Sequence, residues 1–166
     1  MNFRLSVTAL ALALAVAAPL AAQTLTDAER RDVREYVAPY LKKPVRLDLS
    51  RAPVDGDARA EITLIEFSDF QCPFCKESQQ VLKALRERYG KRLRVAFLHY
   101  PLQMHPEARP AARAAWAAGR QGKFWQYHDG LFERQNELGD AFYVRLAGEL
   151  GLDIERFNRD RASAEA

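Results

Sequence analysis

The sequence predicts an α/β fold built on one strand–helix–strand unit. An apolar strand over 61–67 is followed by an amphipathic helix over 73–89, and a second apolar strand follows over 93–98. Strands joined through a helix run parallel in one sheet, because the crossover returns the chain to the same end. After Pro101 the pattern becomes helical throughout, so the predicted class is α/β with an added helical segment.

Residues 1–22 form a predicted signal peptide. The basic residue Arg4 precedes an apolar run over 5–22, and small alanines at its end predict cleavage after Ala22. The alternative is an uncleaved membrane anchor, judged by the length and flanks of the run. Export would place the mature chain in the periplasm, where disulfides persist.

Residues 23–43 form a predicted helical extension before the main domain. Thr26 followed by Glu29 matches a capping box, in which the two side chains satisfy free backbone N–H groups at a helix start. The alternating apolar residues of 45–49 predict a short strand. Residues 50–57 contain proline and glycine and predict a loop.

The strand over 61–67 is largely apolar on both faces, so we expect a central strand that is covered on both sides. The helix over 73–89 begins with Pro73, which is tolerated there because the first N–H groups of a helix lack partners anyway. Gly90 is predicted to end it. The residues of its predicted buried face recur once per turn: Cys75, Ser78, Leu82, Leu85 and Tyr89.

Four further helices are predicted over 106–118, 123–134, 140–150 and 153–161. Asp140 and Asp153 stand at their starts as predicted N-caps. The second of these helices carries an apolar face, which we interpret as core and not as a ligand pocket. That face comprises Phe124, Trp125, His128, Leu131 and Phe132.

Charge does not indicate a nucleic-acid partner. The chain has 25 basic and 22 acidic residues and a formal net charge of +3. The two signs are interleaved, as in Glu29-Arg30-Arg31-Asp32. Interleaved charges are typical of solvated helix faces, whereas nucleic-acid binding needs a patch of one sign.

The two cysteines, Cys72 and Cys75, are the most informative residues. A thiol reacts as its thiolate, and a helix N-terminus stabilises that anion through free N–H groups and the helix dipole. Cys72 precedes the first turn, so we expect an exposed attacking sulfur with a lowered pKa. Cys75 lies one turn later on the apolar face, so we expect a buried resolving sulfur. A stabilised thiolate favours the reduced protein, which makes the disulfide between them oxidising.

Glu66 is the second candidate catalytic residue. It lies on the predicted central strand, six residues before Cys72. A carboxylate buried there would have a raised pKa, and it could exchange the proton that Cys75 loses or gains. The alternative is a strand-end glutamate that reaches solvent.

A zinc site is the main metal alternative for a Cys-x-x-Cys pair. The sequence has no second cysteine pair, and its three histidines, His99, His105 and His128, are scattered. We therefore expect neither a metal nor a cofactor.

The stretch from Glu66 through Cys72-Pro73-Phe74-Cys75 to Lys76 resembles the active-site segment of the DsbA-like thiol–disulfide oxidoreductases of the thioredoxin superfamily. The similarity continues through 97–102, His105-Pro106 and 122–128. The resemblance implies that Cys72 attacks, that Cys75 resolves as its redox disulfide partner, and that Glu66 assists proton transfer. Pro73 and Phe74 complete the implied active-site motif.

The resemblance also implies a thioredoxin-like fold with an inserted helical subdomain. The implied domain covers 44–166, with the active site in the βαβ part over 44–102 and the helical insertion over 103–166. The family has a cis-proline loop and two further strands after the insertion. The last proline here is Pro110, so we expect a chain that lacks these parts and is truncated relative to the family.

The resulting functional prediction is periplasmic thiol–disulfide exchange that donates disulfides to exported proteins. The expected partners are unfolded or reduced exported substrates and a membrane redox protein that resets the cysteine pair, and the chain is expected to be a monomer. Two alternatives stay open: a disulfide isomerase or reductase of the same superfamily, and a non-enzymatic exported binding module.

Overall fold

The computed structural model describes residues 26–42 and 46–163, which belong to two compact units over 1–47 and 48–166. The predicted signal peptide over 1–22 lies outside the described residues. In the first unit, helix α1 spans Asp27–Leu41 and continues through Pro39. No helix within 26–42 and 46–163 has both the length and the apolar character needed to cross a membrane.

The described part of the second unit contains the sheet and five helices, and its elements from β2 onward follow the order that the sequence predicts. Its first part is β1 (Val54–Asp55), β2 (Ile62–Ser68), α2 (Pro73–Tyr89), a 3₁₀ turn (Gly90–Arg92) and β3 (Leu93–His99). Its second part is α3 (Ala108–Gly119), α4 (Phe124–Glu133), a 3₁₀ turn (Gln135–Glu137), α5 (Asp140–Glu149) and α6 (Ile154–Ala162).

The described sheet has three strands in the order β1-β3-β2. β2 and β3 are parallel, from Ile62 opposite Leu93 to Ser68 opposite His99, which confirms the predicted βαβ unit. β1 is antiparallel to β3. The expectation that β2 is central was wrong for the described sheet: β3 is central, and β2 is an edge strand on which Phe67 is 53% exposed.

The predicted strand over 45–49 was also wrong. Residues 46–49 form no strand, and Val45 lies outside the described residues. Asp48 accepts a hydrogen bond from the Ser50 backbone N–H at 2.9 Å, and this local turn replaces an extended ladder. The strand β1 forms instead inside the predicted loop, because β3 offers it a free edge for pairing.

α2 follows its predicted pattern closely. It begins at Pro73 and ends before Gly90, whose positive φ of 50° is easily adopted only by glycine. Leu82 is buried, and the other four residues of the predicted face are half-buried. The helix therefore packs one apolar stripe against the rest of the unit and leaves its opposite side in solvent.

The hydrophobic core lies mainly among α3, α4, α5 and α6, and the side of β3 contributes Phe97. Alanines of α3 are fully buried, and their small side chains let the neighbouring helices approach closely. The predicted apolar face of α4 is confirmed as core, with Trp125 at its edge. Asp153 caps α6 as predicted, but Asp140 is the first residue of α5 and Gly139 takes the cap position.

Candidate active site

The cysteine pair lies where β2 passes to α2. Cys72 is the N-cap of α2 with extended backbone angles (φ −72°, ψ 122°), and Pro73 occupies the first helical position. A tight turn delivers Cys72 to this place. Within it, Asp69 accepts one hydrogen bond from Gln71 N–H through Oδ1 at 2.7 Å and another from Cys72 N–H through its carbonyl at 3.1 Å.

The exposure predicted for the two cysteines was wrong. Cys72 is buried, with 8% exposure, whereas Cys75 is half-buried. The sequence indicated the start of α2. It did not indicate that the segment after α4 lies beside the turn that contains Cys72. Gln135 in that segment donates hydrogen bonds to the carbonyls of Phe70 at 2.8 Å and Cys72 at 2.9 Å. The turn is therefore held against the inserted helices, which reduces the solvent contact of Cys72.

Both cysteines are free thiols. Burial raises the pKa of Cys75, and the neighbouring Cys72 adds to the rise. The Asp69 backbone and the Ser68 side chain act in the opposite direction on that pKa. Within the described part of the chain, the Ser68 hydroxyl makes no hydrogen bond of ordinary geometry, yet it lies close enough to Cys75 to favour the thiolate. The two sulfurs therefore interact directly, and burial disfavours the thiolate form of Cys75.

Glu66 is buried with 8% exposure, so the predicted burial is confirmed and the alternative of a solvent-exposed strand end was wrong. Gln79 Nε2 donates to Glu66 Oε1 at 2.8 Å and to the Cys75 carbonyl at 3.2 Å. Among the described residues, Glu66 Oε2 has no hydrogen-bond partner although it is buried. A carboxyl oxygen without a partner is a free position for a proton or a water molecule.

Buried Asp69 and half-buried His105 form a pair that the sequence did not indicate. Asp69 Oδ2 accepts from Leu102 N–H at 2.9 Å and contacts His105 Nδ1 at 2.8 Å, and its side chain is 1% exposed. The carboxylate thus ties the turn before Cys72 to the segment after β3. The aspartate is followed closely by the cysteines in the sequence, but no pattern showed that it faces a histidine 36 residues later.

The other motif side chain, Phe74, is 76% exposed on the first turn of α2. Phe67 and Tyr100 are also exposed, at 53% and 60%, and their rings meet edge to face at a centroid distance of 6.5 Å. Large exposed apolar residues on one protein often form a contact surface for another polypeptide. Phe67 and Tyr100 lie at the ends of β2 and β3, on the side of the sheet where the active-site turn begins.

The three histidines do not gather with other ligands. His105 pairs with Asp69, and His99 and His128 lie among the core aromatics around Phe97. Within the described ranges, no three histidine, cysteine, aspartate or glutamate side chains are grouped to hold a metal ion. The polar groups next to the cysteines are suited to moving protons.

Comparisons with known proteins show the family to which the chain is related. Residues 63–166 match the family described as the DSBA-like thioredoxin domain. A thioredoxin-like oxidoreductase from Silicibacter pomeroyi is 31% identical with a TM-score of 0.63, covering 69% of this chain and 65% of its own. DsbA2 from Pseudomonas aeruginosa is 31% identical with a TM-score of 0.55, covering 74% of this chain and 68% of its own.

A curated relative carries a different name. The Na(+)/H(+) antiporter NhaA 1 of Mycolicibacterium vanbaalenii is 39% identical over 127 residues, which are 76% of this chain. The chain spans about a fifth of the length of that antiporter. The name therefore describes a protein several times longer than the matched segment.

The family match covers β2 from Thr63 onward, the active-site turn, β3 and the inserted helices. It confirms the thioredoxin-like α/β fold with an inserted helical subdomain, and the described part of that fold has three strands and only trans peptide bonds. The chain belongs to the DSBA-like thioredoxin domain family.

Proposed function

We propose that this chain carries out thiol–disulfide exchange through Cys72 and Cys75, with disulfide donation as its direction. One observation carries the proposal: two interacting thiols lie at the start of α2, beside a buried glutamate with one oxygen left without a partner. Structural stapling does not explain the pair, since a bridge between residues three apart closes too short a loop to constrain the unfolded chain.

The proposed reaction begins with the disulfide form of the protein. A substrate thiolate attacks the Cys72 sulfur, the bond between Cys72 and Cys75 breaks, and Cys75 leaves with the electron pair. A second substrate thiolate then attacks the substrate sulfur of the mixed disulfide and releases the Cys72 thiolate. The substrate loses two electrons, and the cysteine pair gains them.

Glu66 is the proposed proton donor and acceptor for Cys75. Because burial raises the pKa of Cys75, its thiolate needs a proton soon after it forms, and a nearby carboxyl group can supply it. Gln79 holds Oε1 of Glu66 and the Cys75 carbonyl through one amide nitrogen, which aligns strand and helix for this transfer. Oε2 stays available for the proton.

The proposed substrates are reduced or unfolded exported proteins, and the proposed location is the periplasm. The predicted signal peptide over 1–22 supports export, and the exposed ring of Phe74 offers an unfolded chain an apolar contact. A membrane redox protein would reoxidise the pair after each turnover, and the chain would act as a monomer. The cysteines support an oxidising direction because the helix N-terminus favours the reduced, thiolate-bearing state.

A trapping experiment tests the exchange step. The Cys75→Ser variant should accumulate a mixed disulfide between Cys72 and a disulfide-containing peptide, because no resolving thiol remains to release the peptide. The matched Cys72→Ser variant should accumulate far less, since its remaining thiol has a raised pKa. Mass spectrometry counts the adduct. Equal trapping by both variants, or none by either, would remove the proposed assignment of roles.

The direction of exchange is tested separately by equilibration with glutathione. Oxidase function requires a cysteine pair that is more oxidising than the glutathione couple, and each 30 mV corresponds to about tenfold in the equilibrium constant. A pair more reducing than glutathione would favour the reductase alternative and leave the exchange chemistry itself intact.

A further inference from the structure

A cavity lies at the end of β3, and neither cysteine lines it. The cavity has a volume of about 590 Å³, within the range of small-ligand sites. It is bounded by the end of β3, the face of α3 and the last turn of α6. Its lining comprises His99, Pro101, Arg109, Pro110, Ala112, Arg113, Trp116 and Arg161, with no acidic side chain among them.

Two of the lining arginines have no counter-ion among the residues that the structure describes. Arg109 and Arg113 are four residues apart on α3, so their side chains are neighbours on one helix face. Neither makes an ion pair with any residue in the described ranges. Arg161, by contrast, is neutralised by Asp140 and hydrogen-bonded to Asn158. Like charges at this spacing repel, so an anion in the cavity would relieve a repulsion that the described chain leaves in place.

The floor of the cavity supplies apolar surface. Trp116 is half-buried one turn after Arg113, and Arg120 stacks over its ring at 5.2 Å. An aromatic wall beside two arginines that make no ion pair within the described ranges suits a ligand with an anionic group on a flat apolar body.

We propose that this cavity binds a small organic anion, with an acidic group between Arg109 and Arg113 and an apolar ring against Trp116. Inorganic anions lack the part that would fill the apolar floor, and neutral aromatics lack the part that pairs with the arginines. This site is distinct from the proposed exchange site, because neither cysteine and neither Glu66 nor Gln79 lines the cavity.

The test uses naphthalene-2-sulfonate as the probe, because its charge does not change between pH 4 and pH 9. The chain has two tryptophans, so ¹H–¹⁵N spectra report each indole separately. We expect a saturable shift of the Trp116 indole with a dissociation constant of about 1 mM or tighter. Trp125, which does not line this cavity, should shift less, and a Trp125→Phe variant assigns the two signals.

The charge requirement is tested with a double substitution, Arg109→Gln with Arg113→Gln, which should weaken binding about tenfold. The matched control is Arg59→Gln with Arg92→Gln, which removes the same charge from exposed residues outside the cavity and should leave affinity unchanged. Circular dichroism establishes that both variants remain folded.

Three results would each overturn the proposal. They are the absence of a saturable Trp116 shift with the sulfonate, equal binding of the neutral analogue naphthalene-2-methanol, and unchanged affinity in the Arg109 and Arg113 variant. Methanesulfonate, which has the charge without the ring, should bind much more weakly than the probe, and equal binding would likewise contradict the predicted apolar contact.

Discussion

His99 makes the stability of the second unit depend on pH in a defined window. Burial lowers the pKa of His99 from 6.5 to about 4, and the nearby His128 adds to the effect. Its surroundings are aromatic: the ring centroids of Phe97 and Phe124 lie 5.1 and 5.9 Å away. The folded chain therefore holds this imidazole neutral at a pH where the unfolded chain would protonate it.

The magnitude follows from the shift in pKa. The unfolded chain binds a proton below about pH 6.5, but the folded chain does so only below about pH 4. Since the unfolded state binds more protons in this window, the free energy of unfolding falls as the pH drops through it. A shift of about two and a half units at about 1.36 kcal/mol each corresponds to about 3 kcal/mol lost between pH 7 and pH 4.

The assay is urea unfolding at several pH values between 7 and 4, with tryptophan fluorescence as the measure of the folded fraction. The wild-type chain is compared with His99→Phe, which keeps an aromatic ring in the aromatic cluster and removes the titrating group. We expect the wild type to lose about 3 kcal/mol more than the variant over this range. Equal losses in the two proteins would refute the reasoning, because the remaining carboxylates contribute alike to both.

Three other substitutions test packing and hydrogen bonds. Gly130→Ala should lower the free energy of unfolding by about 1 kcal/mol, because the added Cβ would lie 2.8 Å from a methyl carbon of buried Leu146 and outweigh the gain in helix propensity. Asp69→Asn should cost about 2 kcal/mol, since the charge-assisted contact with His105 is lost. Gln135→Ala should cost about 1–3 kcal/mol by leaving two turn carbonyls without their donor. Urea unfolding measures all three.

Each of these predictions has its own contradicting outcome. A Gly130 variant more stable than wild type would mean that Leu146 moves aside freely. An Asp69 variant of unchanged stability would mean that water replaces the carboxylate contacts. For Gln135, the matched variant Gln135→Glu removes the donors but keeps the size of the side chain, so a stable Glu variant would show that packing and not donation holds the turn.

Local patterns in the sequence were enough for the helices and for the order β2, α2, β3. Pro73 and Gly90 indicate the ends of α2 because one lacks an N–H and the other adopts a positive φ. The apolar period of α4 predicted its buried face. These features depend on residues within a few positions of each other, so they can be recognised without knowing the fold.

Strand pairing and exposure were not recoverable in this way. The alternation of 45–49 matches a strand, yet the described residues 46–49 pair with no strand of the described sheet, whereas the two residues of β1 pair with β3. Cys72 stands at an open helix start in the sequence, but it is buried in the fold, where Gln135, 63 residues later, donates a hydrogen bond to its carbonyl. Burial depends on such distant segments, and local periodicity carries no information about them.

The sequence by itself determined the cysteine pair, the strand–helix junction that carries it and the glutamate on the preceding strand. Only the tertiary structure decided that Gln79 holds one oxygen of Glu66 while the other stays free, and that Asp69 joins His105. The physical reason is range: helix starts follow from neighbouring residues, whereas hydrogen bonds between elements depend on how the sheet and the inserted helices pack.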